Sequence, residues 1–271
     1  MYALTFAIYL LFACTQEALI STPYTVFSNR LNKTLRRTLS GSVLLHNLTL
    51  SLGGAILTLL TIAIIRLSYG YEVLHSVIMA MAIVLPATLL WEFSRRFAIA
   101  HLQFGNVLVL DTATAISQVM AISCLAWQDS LAATTAYLAL GVGAGLPAAT
   151  FCWLRRAEFQ FDRRKVVQDW TENWQFGRWV LSGQIIGLVQ GFCPAWVLLF
   201  AIDEAATGVF SACTNIVLLS NPLILAMANL YGATTARAYA DGGPVAVRRV
   251  VRSASILGVS AMLGLWIFLS F

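Results

Sequence analysis

Charge is the scarcest property of this chain. Only 11% of its 271 residues are Asp, Glu, Lys or Arg, against about 25% in a soluble domain. The usual marks of enzyme chemistry are missing too. No glycine-rich loop precedes a Lys to cradle a phosphate, and there is no His-Glu-x-x-His and no cysteine pair at metal-ligand spacing. The five cysteines, Cys14, Cys124, Cys152, Cys193 and Cys213, are scattered through apolar runs and read as small buried hydrophobes. The three histidines, His46, His75 and His101, lie far apart with no carboxylate pattern around them. These absences point away from an enzyme, and neither a metal nor a cofactor is expected.

What the chain has is long apolar runs. Hydrophobic residues make up 59% of it, and its mean hydropathy is +0.78. Runs long enough to cross a hydrocarbon core of about 30 Å fall near 2–27, 42–66, 73–94, 105–127, 131–154, 178–201, 207–231 and 249–270. Backbone groups in lipid must be satisfied internally, and segments this long and apolar suit helices rather than alternating barrel strands. The expected fold class is an all-α membrane protein with about eight transmembrane helices.

Sixteen of the 17 basic residues occupy alternate gaps between these runs. Arg30, Lys33, Arg36 and Arg37 fill the first gap, and Arg95 and Arg96 the third. The fifth holds Arg155, Arg156, Arg163, Arg164, Lys165 and Arg178, and the seventh Arg237, Arg248, Arg249 and Arg252. The second, fourth and sixth gaps share only Arg66. Lys and Arg are retained on the cytoplasmic side during insertion, so the basic gaps are expected to face the cytoplasm of a plasma (cell inner) membrane. The net charge of +5 then reads as orientation signal beside anionic lipid, not as a nucleic-acid footprint.

This topology puts Met1 outside, with no basic n-region and no cleavage site to make the first run a signal peptide. A missing leading helix is the simpler expectation, and both ends look cut. A shift of 212 residues overlays Arg36-Arg37 on Arg248-Arg249 and Phe27-Ser28-Asn29-Arg30 on Tyr239-Ala240-Asp241-Gly242. The first and seventh runs cross in the same direction, as duplicated six-helix halves would. The expected organisation is a first lobe of five spans over 1–154, an amphipathic cytoplasmic linker over 155–177, and the first three spans of a second lobe over 178–271. In the linker, Val166, Val167, Trp170 and Trp174 share one helical face opposite Arg163, Arg164 and Glu172, the pattern of an interfacial helix.

Polar residues inside the runs are the candidate functional groups, because such residues tend to face a cavity or a partner. Glu17 follows Gln16 in the first run. Asp111 lies two turns into the fourth, with Gln118 on the same face. Gln184 and Gln190 lie in the sixth run, and Asn215, Asn221 and Asn229 in the seventh. Each amide could instead hold two helices together, and Asp111 could be tethered to Arg95 or Arg96. Pro86, Pro147, Pro194 and Pro222 are placed to bend helices. Gly183, Gly187 and Gly191 form a small-residue ladder, as do Gly141 and Gly145, suited to close helix approach. Asn32-Lys33-Thr34 and Asn47-Leu48-Thr49 match the glycosylation tripeptide, but the first falls in a cytoplasmic gap and the second in or beside a span.

The stretch Trp91-Glu92-Phe93-Ser94-Arg95-Arg96-Phe97-Ala98, followed by Asp111 and Gln118, resembles a span junction of polysaccharide-export flippases. These form a branch of the multidrug/oligosaccharidyl-lipid/polysaccharide exporter superfamily. Tyr239-Ala240-Asp241-Gly242-Gly243 before Arg248-Arg249, and Asn173-Trp174-Gln175-Phe176-Gly177, are similar to elements of the same group. The resemblance implies two six-helix lobes in a V around a central cavity, with the eight runs here standing for the second to ninth helices. It also implies alternating-access translocation of a lipid-linked oligosaccharide, with Glu17, Asp111, Gln118, Gln184, Gln190 and Asn215 lining the cavity and Arg95 and Arg96 as a cytoplasmic gate or tether. The implied partners are membrane lipids, the lipid-linked glycan and the polysaccharide-synthesis machinery. A cation-coupled exporter of amphipathic small molecules, or a non-transporting scaffold of polymer synthesis, would share most of these features.

Overall fold

A computed structural model describes residues 2–28, 31–69, 72–218 and 220–269. Among them the chain is almost entirely helical, with no strand. The helices are α1 (Tyr2–Gln16), α2 (Thr22–Ser28), α3 (Lys33–Tyr69), α4 (Glu72–Ala100), α5 (Phe104–Trp127), α6 (Ala133–Leu154), α7 (Arg163–Ala201), α8 (Glu204–Leu218) and α9 (Asn221–Leu269). Among the described residues five stretches are long and apolar enough to cross a membrane: Lys33–Ile64, Ser76–Ala100, Phe104–Trp127, Ala133–Leu154 and Gly243–Ile267. This is compatible with a multi-pass membrane protein.

The seventh apolar run does not form one helix. It is interrupted before Asn221-Pro222, where α9 begins. The residue before a proline avoids helical backbone, and a proline in the first turn gives up no intrahelical hydrogen bond. Pro222 therefore opens a helix instead of bending one. Pro86, Pro147 and Pro194 do lie inside helices. The long α9 is itself broken at Gly243, whose φ of 61° suits a residue without a Cβ, followed by Pro244. Arg30 and Asn29 of the first basic gap, and Gly70 and Tyr71 of the second gap, lie outside the described residues.

The chain divides into two compact units, Met1–Leu188 and Val189–Phe271. The boundary falls within α7, because the amphipathic stretch and the sixth apolar run form one unbroken helix. The sequence seam at 155–177 is thus continuous with the helix that follows it.

In the first unit α4 is central and packs against α1, α3, α5 and α6. Its buried residues join two apolar clusters. Phe93 and Phe97 pack with Tyr24, Leu39, Val43 and Phe159, and Met81, Leu85 and Leu89 with Tyr9, Phe12 and Tyr137. Tyr24 stacks on Phe97 at 5.9 Å, and its hydroxyl shares a 2.9 Å hydrogen bond with Ser40. Gln160 N–H donates to the Arg37 carbonyl at 3.1 Å, and Arg37 pairs with Glu158 at 3.3 Å. The first and fifth basic gaps therefore lie together, at what we call the basic end of the bundle.

Glycines set the closest approaches. A Cβ on Gly41 would fall 2.0 Å from the Gln160 carbonyl oxygen, and one on Gly177 would fall 2.5 Å from that of Ala18. Gly141 and Gly145 lie against Val84 and Ala87 of α4, so this pair does serve helix packing. The other ladder does not. A Cβ added to Gly183, Gly187 or Gly191 would meet nothing within 4 Å, so no described helix uses the smooth face they offer.

Candidate functional site

Between α1 and α2 the helix widens into a single π-turn, Glu17–Ser21, closed by Thr22 N–H donating to the Glu17 carbonyl. Pro23 explains it locally. Proline has no N–H to give the Leu19 carbonyl, and its ring crowds that carbonyl in a regular α-turn. An extra residue in the turn relieves the clash. The widened backbone is buried at Ala18, Leu19, Ile20 and Ser21, and Gly177 of α7 rests directly on it. Glu17 thus starts from an irregular turn clamped by a second helix.

Two consecutive arginines of α4 meet acids from different helices. Arg96 Nη2 donates to Glu17 Oε1 at 2.5 Å, joining α4 to the π-turn. Arg95 Nε lies 2.8 Å from Asp111 Oδ1 of α5, and Arg95 Nη1 lies 3.7 Å from Glu92 one turn back on α4. The Arg95–Asp111 contact is close but poorly aligned for a hydrogen bond, since neither facing atom satisfies one. It is a charge contact. The Arg95 guanidinium also lies 4.8 Å from the centre of the Trp91 ring, adding a cation–π contact. Asp111 therefore has one of the two arginine partners that its sequence context suggests. All four charged side chains are partly exposed.

Beside this charged layer lies a neutral one. Gln16, 1% exposed, and Asn47, fully buried, meet in the interior. Gln16 Nε2 lies 2.7 Å from both Asn47 Oδ1 and the Leu89 carbonyl oxygen, donating to each. This node joins α1, α3 and α4. In the sequence Gln16 stands out only as the neighbour of Glu17, and Asn47 only as part of a discounted tripeptide. The period of a helix does not reveal which amides meet across helices. The other tripeptide has a structural use as well: Asn32 Oδ1 accepts from Leu35 N–H at 3.0 Å and caps α3.

Gln118 makes its contacts elsewhere. Gln118 Nε2 donates to the Leu140 carbonyl at 3.1 Å, and neighbouring Ser117 donates to that of Gly143 at 2.7 Å. Both hold α5 to α6. Gln184 is half-buried, with a buried Oε1 that has no partner. Gln190 is exposed and belongs to the second compact unit. The Asn215 side chain lies outside the described residues. Among the described residues, Glu17 and Asp111 are linked through the neighbouring Arg96 and Arg95 of α4.

The amphipathic start of α7 carries groups that sequence reasoning misses. Its apolar face, with Val167, Trp170 and Trp174, is exposed, as an interfacial helix requires. The face turned to the bundle is Asp169, Asn173 and Gly177, all buried. Their four-residue spacing is the available signal, masked by the more conspicuous tryptophans. His46 of α3 anchors this helix through a 2.9 Å hydrogen bond to the Val166 carbonyl and an edge contact with Trp170 at 5.1 Å. Burial pushes the Asp169 carboxyl above the usual range, against a hydrogen bond with Ser42 and the Lys165 charge, which favour ionisation.

The chain matches no family model, and no curated protein or solved structure is significantly similar to it. A functional reading therefore rests on its own residues.

Proposed function

We propose that the chain is a membrane transporter of flippase type, with about eight spans and basic gaps facing the cytoplasm. It would translocate a lipid-linked oligosaccharide by alternating access at a bacterial inner membrane, in the service of polysaccharide synthesis. The observation that carries this reading is the pair of ion pairs on α4. Arg96 holds Glu17 on one side and Arg95 holds Asp111 on the other, so a single helix latches its neighbours near the basic end.

Such latches suit a gate because a charge contact weakens as its partners separate. Partly exposed pairs can exchange their partner for water or for a charged headgroup at little net cost, whereas a packed apolar contact cannot. Separation of α1 or α5 from α4 would expose two guanidinium groups, which bind phosphate well. A lipid-linked oligosaccharide carries its sugars on phosphate, so the opened gate would present the right charge to it. Charged side chains in membrane helices commonly mark transport paths, and π-turns are frequent at functional sites.

The test is reconstitution into liposomes containing a fluorescent lipid-linked oligosaccharide, with a membrane-impermeant quencher added outside. Protein-dependent equilibration of the probe across the bilayer, lost in Arg95→Gln/Arg96→Gln, supports the proposal. A rate equal to protein-free liposomes overturns it. Export of amphipathic drugs without glycan movement would reassign the same gate to a small-molecule exporter.

A further inference from the structure

Pro147 of α6 has no N–H for the Gly143 carbonyl one turn back, and Ser117 of α5 supplies a donor to it across the interface at 2.7 Å. The two helices touch there, since a Cβ on Gly143 would fall 2.6 Å from the Gln118 side chain. From this contact toward the basic end they leave a groove of about 470 Å³ between them. Its walls are apolar, with Val109 and Ala113 on α5 and Leu146 and Leu154 on α6. The hydroxyls along it are already engaged, Ser117 with Gly143 and Thr150 with the Leu146 carbonyl of its own helix at 2.8 Å. Asn106 and Arg155 line the end nearest the basic gaps. No acid is among the described lining residues, and Asp111 of α5 is turned instead to Arg95 of α4.

Arg155 is a half-buried cation without a counter-ion. Among the described residues it takes part in no ion pair, and its guanidinium nitrogens stay accessible. Its neighbour Arg156 differs, lying 5.2 Å from the centre of the Trp153 ring. Arg36 of α3 is also unpaired among the described residues. Burial above all pushes the His101 ring at the end of α4 toward its neutral form, and the charges of Arg36 and Arg155 add to it, against the Phe97 carbonyl and Glu158. Both guanidinium groups therefore bear on one spot, while Glu158 is already held by Arg37. From Leu146 to Arg155 the slot runs about 13 Å along α6, at about 1.5 Å per residue, close to half of a hydrocarbon core of about 30 Å. Its volume of about 470 Å³ holds roughly sixteen groups the size of a water molecule, at about 30 Å³ each. That is the size of one acyl chain within one leaflet, below an unanswered positive charge.

We propose that this groove holds one anionic phospholipid of the inner leaflet, its phosphate on Arg155 and one acyl chain between α5 and α6. Basic pockets between membrane helices on the cytoplasmic side suit anionic headgroups. The Asn106 amide has one N–H left after its 2.8 Å bond to Gln103, and that N–H donates to the same headgroup. Arg36 adds charge without lining the slot. A zwitterionic headgroup brings its own cation toward the arginines and is disfavoured. A free phosphate answers the charge but leaves the apolar slot unfilled. The site rests on the reading that α5 and α6 span the bilayer with the basic end at the cytoplasmic face, and not on the α4 latch. Lipid binding in detergent and translocation in liposomes can therefore fail independently of each other.

The experiment is native mass spectrometry of the delipidated protein titrated with phosphatidylglycerol or phosphatidylcholine of matched acyl chains, with inorganic phosphate as a competitor. The first bound lipid should favour phosphatidylglycerol by about fivefold, the ratio that about 1 kcal/mol per arginine gives. Arg155→Gln should bring this preference close to parity. Arg163→Gln, which removes an exposed arginine away from the groove, should leave it unchanged. Thr150→Trp fills the slot from an exposed position and should weaken both lipids. Val119→Trp, on the exposed side of α5 outside the groove, should weaken neither. Equal binding of the two lipids by the parent protein would overturn the proposal. So would an equal loss of selectivity in Arg163→Gln, which marks general attraction to the basic end, or equal weakening by the two tryptophans, which marks an unspecific lipid coat. Displacement of the lipid by inorganic phosphate at the same concentration would reassign the site to a free anion. A dimer lost in Thr150→Trp, without lipid selectivity, would reassign the groove to a second copy of the chain.

Discussion

Arg96 of α4 grips Glu17 at the first residue of a π-turn, so an irregular backbone and a charge pair occupy one place. If the contact is a specific partnership, exchanging its charges should restore what single reversals remove. Glu17→Arg and Arg96→Glu should each lower thermal stability, and the double variant should recover part of the loss. A coupling energy of about 1 kcal/mol or more from this double-mutant cycle is expected in detergent. A value near zero would mean that each side chain is solvated independently.

The Gln16–Asn47–Leu89 node should behave as a buried network. Asn47→Leu leaves one buried N–H of the Gln16 amide without an acceptor and should cost about 1–3 kcal/mol. Gln16→Leu with Asn47→Leu removes both polar groups and should cost less than the two single changes added together. Simple additivity would show that the node is not coupled.

The glycines separate sharply by what surrounds them. Gly41→Ala and Gly177→Ala place a methyl group against the backbone of Gln160 and Ala18, and each should destabilise by about 1–3 kcal/mol. Gly183→Ala meets open space and should be neutral or stabilising by up to about 1 kcal/mol. Melting temperatures of the three variants in one detergent check the order. A destabilised Gly183→Ala would place a packed partner on that face.

Asp169 gives a pH dependence with a definite sign. Its carboxyl is held above the usual range by burial, so the folded protein binds that proton more tightly than the unfolded chain does. The unfavourable contribution is present when the group is ionised, above the raised value, and fades as pH falls through it toward the ordinary aspartate range. In lipid-free detergent, Asp169→Asn should therefore melt slightly higher than the parent near neutral pH. The gap should close in mild acid. A gap that widens on acidification would contradict the assigned cause.

Much of this arrangement is legible in the sequence, and the rest is hidden for identifiable reasons. Apolar run length places the five stretches long enough to cross a membrane, because the thickness of a bilayer sets that length. The alternating basic gaps put the first and fifth gaps at one end, where Arg37 meets Glu158, and the sparse acids single out Glu17 and Asp111. Pairwise meetings are less visible. Asn47 reads as a tripeptide, and Gln118 reads as cavity lining until Leu140 is seen opposite it. Pro222 reads as a kink because its run is apolar on both sides, although Ser220-Asn221 before it favours a new helix start. The stripe of Asp169, Asn173 and Gly177 is overshadowed by two tryptophans on the neighbouring face. Hydropathy reports what lipid tolerates, and says little about which polar groups face each other inside.

The central claim is that the α4 arginines are a working gate, and charge exchange in the transport assay tests it most directly. Liposomes carrying the fluorescent lipid-linked oligosaccharide should equilibrate with the parent protein, fail to do so with Glu17→Arg or Arg96→Glu, and recover measurably with both changes together. Unaltered equilibration in both single variants would contradict the gate.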